Sequence, residues 1–169
     1  MIKGIKMSYN HENLIVGCGN ILYGDDGFGV EVIKYMKEND IEFPGDTMLI
    51  DGGTSAPHYI FTLPEPKWKN IIIIDIAELN KKAGCIEVLD LDEVAEDYRY
   101  MDVHGISVTY PLHELKDKLN IKIIACQKES IPSQMEIGLT DSVEKSIPLA
   151  VSKTREVLLE LLDLVHETR

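Results

Sequence analysis

Cysteine is scarce in this chain: Cys18, Cys85 and Cys126 are odd in number and far apart among 169 residues. They suit neither a disulfide framework nor a Cys-x-x-Cys zinc site, and read as buried or partly buried thiols. Basic side chains are also few. Seventeen Lys and Arg against 29 Asp and Glu leave a net charge of −12. That balance disfavours nucleic acid or an anionic membrane as partner and favours a basic or cationic one. No apolar run approaches the roughly 20 residues needed to span a bilayer. Residues Met1 to Asn13 lack the apolar core and cleavage site of a secretory leader. The expectation is a cytoplasmic protein. Three catalytic signatures are missing too: Gly-Lys-Ser/Thr for a nucleoside triphosphate, Gly-x-Ser-x-Gly for a serine hydrolase, and His-Glu-x-x-His for a zinc protease. Internal repeats, low-complexity tracts and interdomain linkers are absent as well. The chain therefore reads as a single domain over residues 1–169, with residues 1–12 as an N-terminal extension.

What is present is a glycine-rich turn that ends in two acids. It runs Gly17-Cys18-Gly19-Asn20-Ile21-Leu22-Tyr23-Gly24-Asp25-Asp26-Gly27-Phe28-Gly29, between the apolar Leu14-Ile15-Val16 and a segment with Val30, Val32, Ile33 and Met36 at helical spacing. Strand, glycine turn and helix in that order raise the idea of a phosphate cradle. A dinucleotide fingerprint beginning at Gly17 needs glycine at position 22, where the residue is Leu. Two carboxylates also repel a pyrophosphate, so a cation is the better guest. Helix capping competes for the acids, since carboxylates near a helix N-terminus satisfy free amides. One acid suffices for that, and the second needs another reason.

Further along, strands and helices alternate. Thr47 to Ile50 reads as a strand that ends in Asp51-Gly52-Gly53-Thr54, and residues 57–63 as a short helix. The run Asn70-Ile71-Ile72-Ile73-Ile74-Asp75-Ile76 reads as a strand buried on both faces. Cys85 to Leu89 alternates as an edge strand does, residues 90–102 form a loop or short helix, and an interrupted helix spans residues 106–119. Ile121 to Ala125 is the last strand. A terminal helix extends from about Asp141 to His166, capped by Thr140 or Asp141 and kinked at Pro148. The pattern predicts a single-domain three-layer α/β/α fold around an open, mostly parallel twisted sheet of about five strands. Ligands of such sheets lie beyond the carboxyl ends of the strands. Asp25 and Asp26, Asp51 and Asp75 all fall there.

Asp75 is the sharpest of these acids, because it interrupts an apolar run where a buried strand emerges, and a buried carboxylate is costly unless paired or metal-bound. His104 sits in Asp102-Val103-His104-Gly105, with a glycine that leaves room for a ligand. Two carboxylates and an imidazole make a partial shell for a borderline divalent metal. Cys18 is the thiol nearest this site, with no base beside it in sequence.

Taken in order, Gly17-x-Gly19-Asn20-x-Leu22-x-x-Asp25-Asp26-Gly27-x-Gly29, Asp51-Gly52-Gly53-Thr54, the strand ending at Asp75, His104 and Gly138-Leu139-Thr140 resemble the hydrogenase maturation endopeptidases. The archaeal deazaflavin-reducing hydrogenase branch is the closer match. The resemblance implies a peptidase that removes the C-terminal extension of a nickel–iron hydrogenase large-subunit precursor after nickel insertion. It implies Asp26, Asp75 and His104 as catalytic and metal-contacting residues, which leaves Asp25 the part of the helix cap. The only metal implied is the nickel of the precursor, with no tightly bound organic cofactor. Gly52, Gly53 and Thr54 are expected to hold the extended substrate peptide. The competing readings are a nucleotide-binding domain in which Asp51 contacts a ribose, and a nickel-binding maturation chaperone that cleaves nothing.

Overall fold

The computed structural model describes residues 11–56, 67–95 and 117–167. Five strands form one sheet in the order β2 (Thr47–Gly53), β1 (Asn13–Cys18), β3 (Asn70–Ala77), β5 (Asn120–Gln127), β4 (Ile86–Asp90). The first four are mutually parallel and β4 runs antiparallel along the edge. The isoleucine run explains why β3 is central. Ile71 and Ile73 face one side and Ile72, Ile74 and Ile76 the other, and every residue of the strand is buried.

Two helices cover one face. α1 (Phe28–Glu38) contributes Phe28, Val32, Ile33 and Met36, and α4 (Ile147–Glu167) contributes Ala150, Val151, Val157, Leu158 and Leu161, all packed with Ile15, Ile72, Ile74 and Ile124. On the opposite face, Leu14, Val16, Ile71, Ile73 and Ile123 meet Ala56, Trp68 and Leu91, the last at the start of the short α2 (Leu91–Ala95).

Between residues 141 and 167 the expected single helix is two, α3 (Asp141–Glu144) and α4. Pro148 does not kink a continuous helix. It has no N–H to give the Glu144 carbonyl, so the break falls before it, and it sits in the first turn of α4 where that loss costs nothing. The Ser146 hydroxyl donates to the Val143 carbonyl at 2.6 Å and closes the end of α3. Likewise β2 does not stop at Ile50 but continues through Gly53, with an irregularity in its pairing between Gly17 and Cys18.

The chain leaves β1 for β2 on one side and returns to β3 on the other. The carboxyl ends of β1 and β3 therefore flank the topological switch point, where an open α/β sheet offers a crevice. The expected helix over residues 57–63, and residues 106–116 of the one expected over 106–119, fall outside the described residues; residues 117–119 are not helical but form the turn that leads into β5.

Candidate active site

The glycines of the first loop serve packing. A Cβ on Gly17 would lie 2.1 Å from the Gly29 carbonyl oxygen, and one on Gly29 would lie 2.1 Å from that of Ile74. Only glycine at both positions lets α1 start directly against β1 and β3. The loop amides, which a phosphate would need, are already committed. Gly19 N–H donates to the Gly53 carbonyl (3.1 Å), Asn20 N–H to the Asp26 carbonyl (3.0 Å), Leu22 N–H to Asn20 Oδ1 (3.1 Å) and Gly24 N–H to the Glu136 carbonyl (2.7 Å). An anion finds no nest there, and the nucleotide-binding alternative loses its cradle.

Adjacent in sequence, Asp25 and Asp26 have opposite surroundings. Asp25 is fully buried. Its carboxylate accepts from the backbone of Glu129 and Ser130 (2.8 Å each) and Thr140 (2.8 Å), and from the Thr140 hydroxyl (2.9 Å). The expected cap is thus a long-range clamp. No side chain caps either the 3-10 turn at Gly24–Gly27 or α1. Asp25 instead fastens the loop after β5 to the loop after β1, and Thr140 spends its hydroxyl on that carboxylate although it occupies the capping position of α3. Such a saturated carboxylate has no lone pair to spare for a ligand. Asp26 is only half-buried, and one carboxyl oxygen accepts from Asn20 N–H at 3.1 Å.

Asp75, near the carboxyl end of β3, also approaches Gly19. A Cβ on Gly19 would come within 1.8 Å of the Asp26 carbonyl oxygen and 3.8 Å of Asp75 Oδ1, so this glycine, at φ +121°, is what lets the two acidic segments approach. Asp75 is 7% exposed and accepts one backbone hydrogen bond, from Ile76 N–H at 2.8 Å. Burial pushes its carboxyl up to about 7; the Ile76 hydrogen bond opposes this and the neighbouring Asp26 carboxylate adds to it. A buried carboxyl raised in this way beside a second carboxylate is an arrangement that a cation relieves.

Cys18, at the end of β1, is buried. Burial, with Asp75 and Asp51 adding, holds its thiol well above the usual range, so it is no thiolate nucleophile. Asp51 is exposed, while Gly52 is buried with no room for a side chain: a Cβ would lie 2.8 Å from both Ala56 Cβ and Val16 Cγ2. Gly53 bonds the first loop through its carbonyl, and Thr54 is exposed.

Around Gly19 the fold thus brings together Asp26, Asp75 and Gly53, while His104 lies outside the described residues. Among the described residues no three His, Cys, Asp or Glu side chains gather closely enough to hold a metal. The partners of Asp25 were not foreseen. Gly138-Leu139-Thr140 stood out in the sequence, yet nothing local in it announces a hydrogen bond to a residue 115 positions earlier.

Residues 30–156 match the family model described as Hydrogenase maturation protease. The coenzyme F420 hydrogenase subunit delta of Methanothermobacter thermautotrophicus is 43% identical over 148 residues, which cover 86% of this chain and 93% of the relative. The hydrogenase 3 maturation protease of Escherichia coli K12 is 27% identical over 108 residues, 63% of this chain and 66% of the relative. The solved structure of the hydrogenase maturating endopeptidase HybD from E. coli superposes with a TM-score of 0.70 at 22% identity, over 88% of this chain and 93% of that one. At that identity the likeness speaks for the fold.

Proposed function

Since the chain belongs to the hydrogenase maturation protease family, a family of peptidases, we propose that it removes the C-terminal extension of a nickel–iron hydrogenase large-subunit precursor once nickel has been inserted. The similarity to a coenzyme F420 hydrogenase subunit favours a client of that deazaflavin-reducing class. The observation that carries the reading is the pair Asp26 and Asp75 at the switch point, one half-buried and the other buried with its proton affinity raised to near neutrality.

In this reading the metal belongs to the substrate. The precursor's nickel docks against Asp26 and Asp75, with His104 as the third contact, and cleavage becomes conditional on a loaded centre. Asp75 gives up its proton to the medium as the cation arrives. A divalent ion held there polarises the scissile carbonyl or acidifies a water, which adds across the peptide bond and releases the extension. Gly53 and Thr54, at the rim of the same crevice, hold the extended peptide.

The test is to mix the protein with nickel-loaded and nickel-free precursor and follow the intact mass. Loss of a C-terminal fragment from the loaded form alone is expected. Binding of the loaded form without mass loss would leave the non-cleaving nickel chaperone as the reading, since it needs the same acids.

A further inference from the structure

Two loops meet beside the crevice and expose apolar side chains that neither of them needs. The first loop presents Ile21 and Leu22, and the loop between β5 and α3 presents Ile131, Met135 and Ile137, the last two 71% and 79% exposed. A β-bridge joins them: Tyr23 pairs with Glu136, Gly24 N–H donates to the Glu136 carbonyl (2.7 Å), and Glu136 N–H donates to the Leu22 carbonyl (2.9 Å). Leu22 and the 135–137 segment thus lie side by side, and the buried Asp25 clamp fixes the second loop at Glu129, Ser130 and Thr140. An apolar surface held in shape by a buried carboxylate is a preformed contact surface, because its ordering cost is met before a partner arrives.

Charge selects the occupant. Residues 18–33 and 129–144 contain no Lys or Arg and carry Asp26, Glu129, Glu136 and Glu144 besides the clamp, while Glu31 and Asp141 pair with Lys34 and Lys145 just outside these segments. A second copy of the chain would bring the same acids and a net charge of −12 against them. The occupant is instead apolar at its centre and basic at its rim. The same first loop carries Asp26, so whatever seats here adjoins the crevice.

We infer that Ile21, Leu22, Ile131, Met135 and Ile137 form the docking surface for the folded body of the precursor, met there by an apolar patch bordered by Lys and Arg. This rests on the peptidase reading. Docking holds the client so that its metal centre reaches Asp26 and Asp75, and it acts on affinity and not on the chemical step.

The experiment measures steady-state processing of nickel-loaded precursor by the wild type, by Met135→Ser/Ile137→Ser, and by Leu159→Ser, which alters an exposed apolar residue of α4. The double variant should raise KM by about tenfold or more, with the loss in kcat/KM confined to KM, while Leu159→Ser stays at the wild-type KM. Raising salt from about 0.1 to about 0.5 M should raise the wild-type KM as well. A double variant with the wild-type KM would overturn the docking surface and leave the peptidase reading standing. So would a wild-type dimer in sedimentation that the double variant dissociates without a change in KM. A wild type that never cleaves the loaded precursor would overturn both.

Discussion

At the amino ends of β1, β3 and β5, the polar side chains are three neutral amides set opposite one another in register, Asn13, Asn70 and Asn120. Asn120 Nδ2 donates to Asn70 Oδ1 (2.8 Å), Asn70 Nδ2 to Asn13 Oδ1 (2.7 Å), and Asn13 Nδ2 to the Asp46 carbonyl (3.3 Å). At the carboxyl ends of the same strands stands Asp75, also buried, with one hydrogen bond and a second carboxylate, Asp26, for a neighbour. One end is a closed ladder that fixes strand register; the other holds a buried carboxyl whose proton affinity desolvation raises. Gln127, at the carboxyl end of β5, is fully hydrogen-bonded, so it is the raised Asp75 alone that marks this end of the sheet as a candidate for function.

The largest effect comes from emptying the charged end. Asp26→Ala or Asp75→Ala should lower the processing rate by about a thousandfold or more, on the order of 4 kcal/mol in the barrier, while circular dichroism stays native. Breaking the clamp beside it is next. Asp25→Ala strands three part-buried backbone donors and the Thr140 hydroxyl, and should cost about 2–4 kcal/mol in denaturant unfolding.

Asp75→Asn sharpens the contrast, because it should stabilise the fold while abolishing activity. A carboxyl whose folded value is about 7 against an ordinary 3.8 keeps a proton in the folded protein that the unfolded chain has lost, so stability falls as pH rises between those values. Below about pH 4 both states are protonated and the penalty is absent; above about pH 7 it is complete. Metal-free Asp75→Asn should therefore match the wild type near pH 4 and exceed it at pH 8 by as much as roughly 4 kcal/mol. The smallest effect belongs to the neutral ladder. Asn70→Ala should cost about 1–3 kcal/mol at every pH and leave the processing rate at its wild-type value.

Periodicity carried most of the fold because burial is a pattern along the chain. The isoleucines of β3 mark a strand covered on both faces, and the alternation over residues 86–90 marks an edge. The division of labour between Asp25 and Asp26 was harder to read. Both follow a glycine turn, both lie where a cap could act, and what separates them is a hydrogen-bonding partner 104 to 115 residues away. Spacing records what is local, and that clamp is not. The glycines misled in the same manner: Gly17 and Gly29 look like a cradle in sequence and are a helix-to-strand contact in space. The break before Pro148 was visible as a proline, but its consequence depended on which carbonyl lost a partner.

The account's central claim is that Asp26 and Asp75 make peptide cleavage conditional on the client's metal. The most direct measurement is the rate at which nickel-loaded and nickel-free precursor lose their C-terminal fragment, by intact mass, with the wild type and with Asp75→Asn. The account predicts cleavage of the loaded precursor by the wild type and none in the other three combinations. Equal cleavage of loaded and nickel-free precursor by the wild type, or wild-type rates from Asp75→Asn, would contradict it.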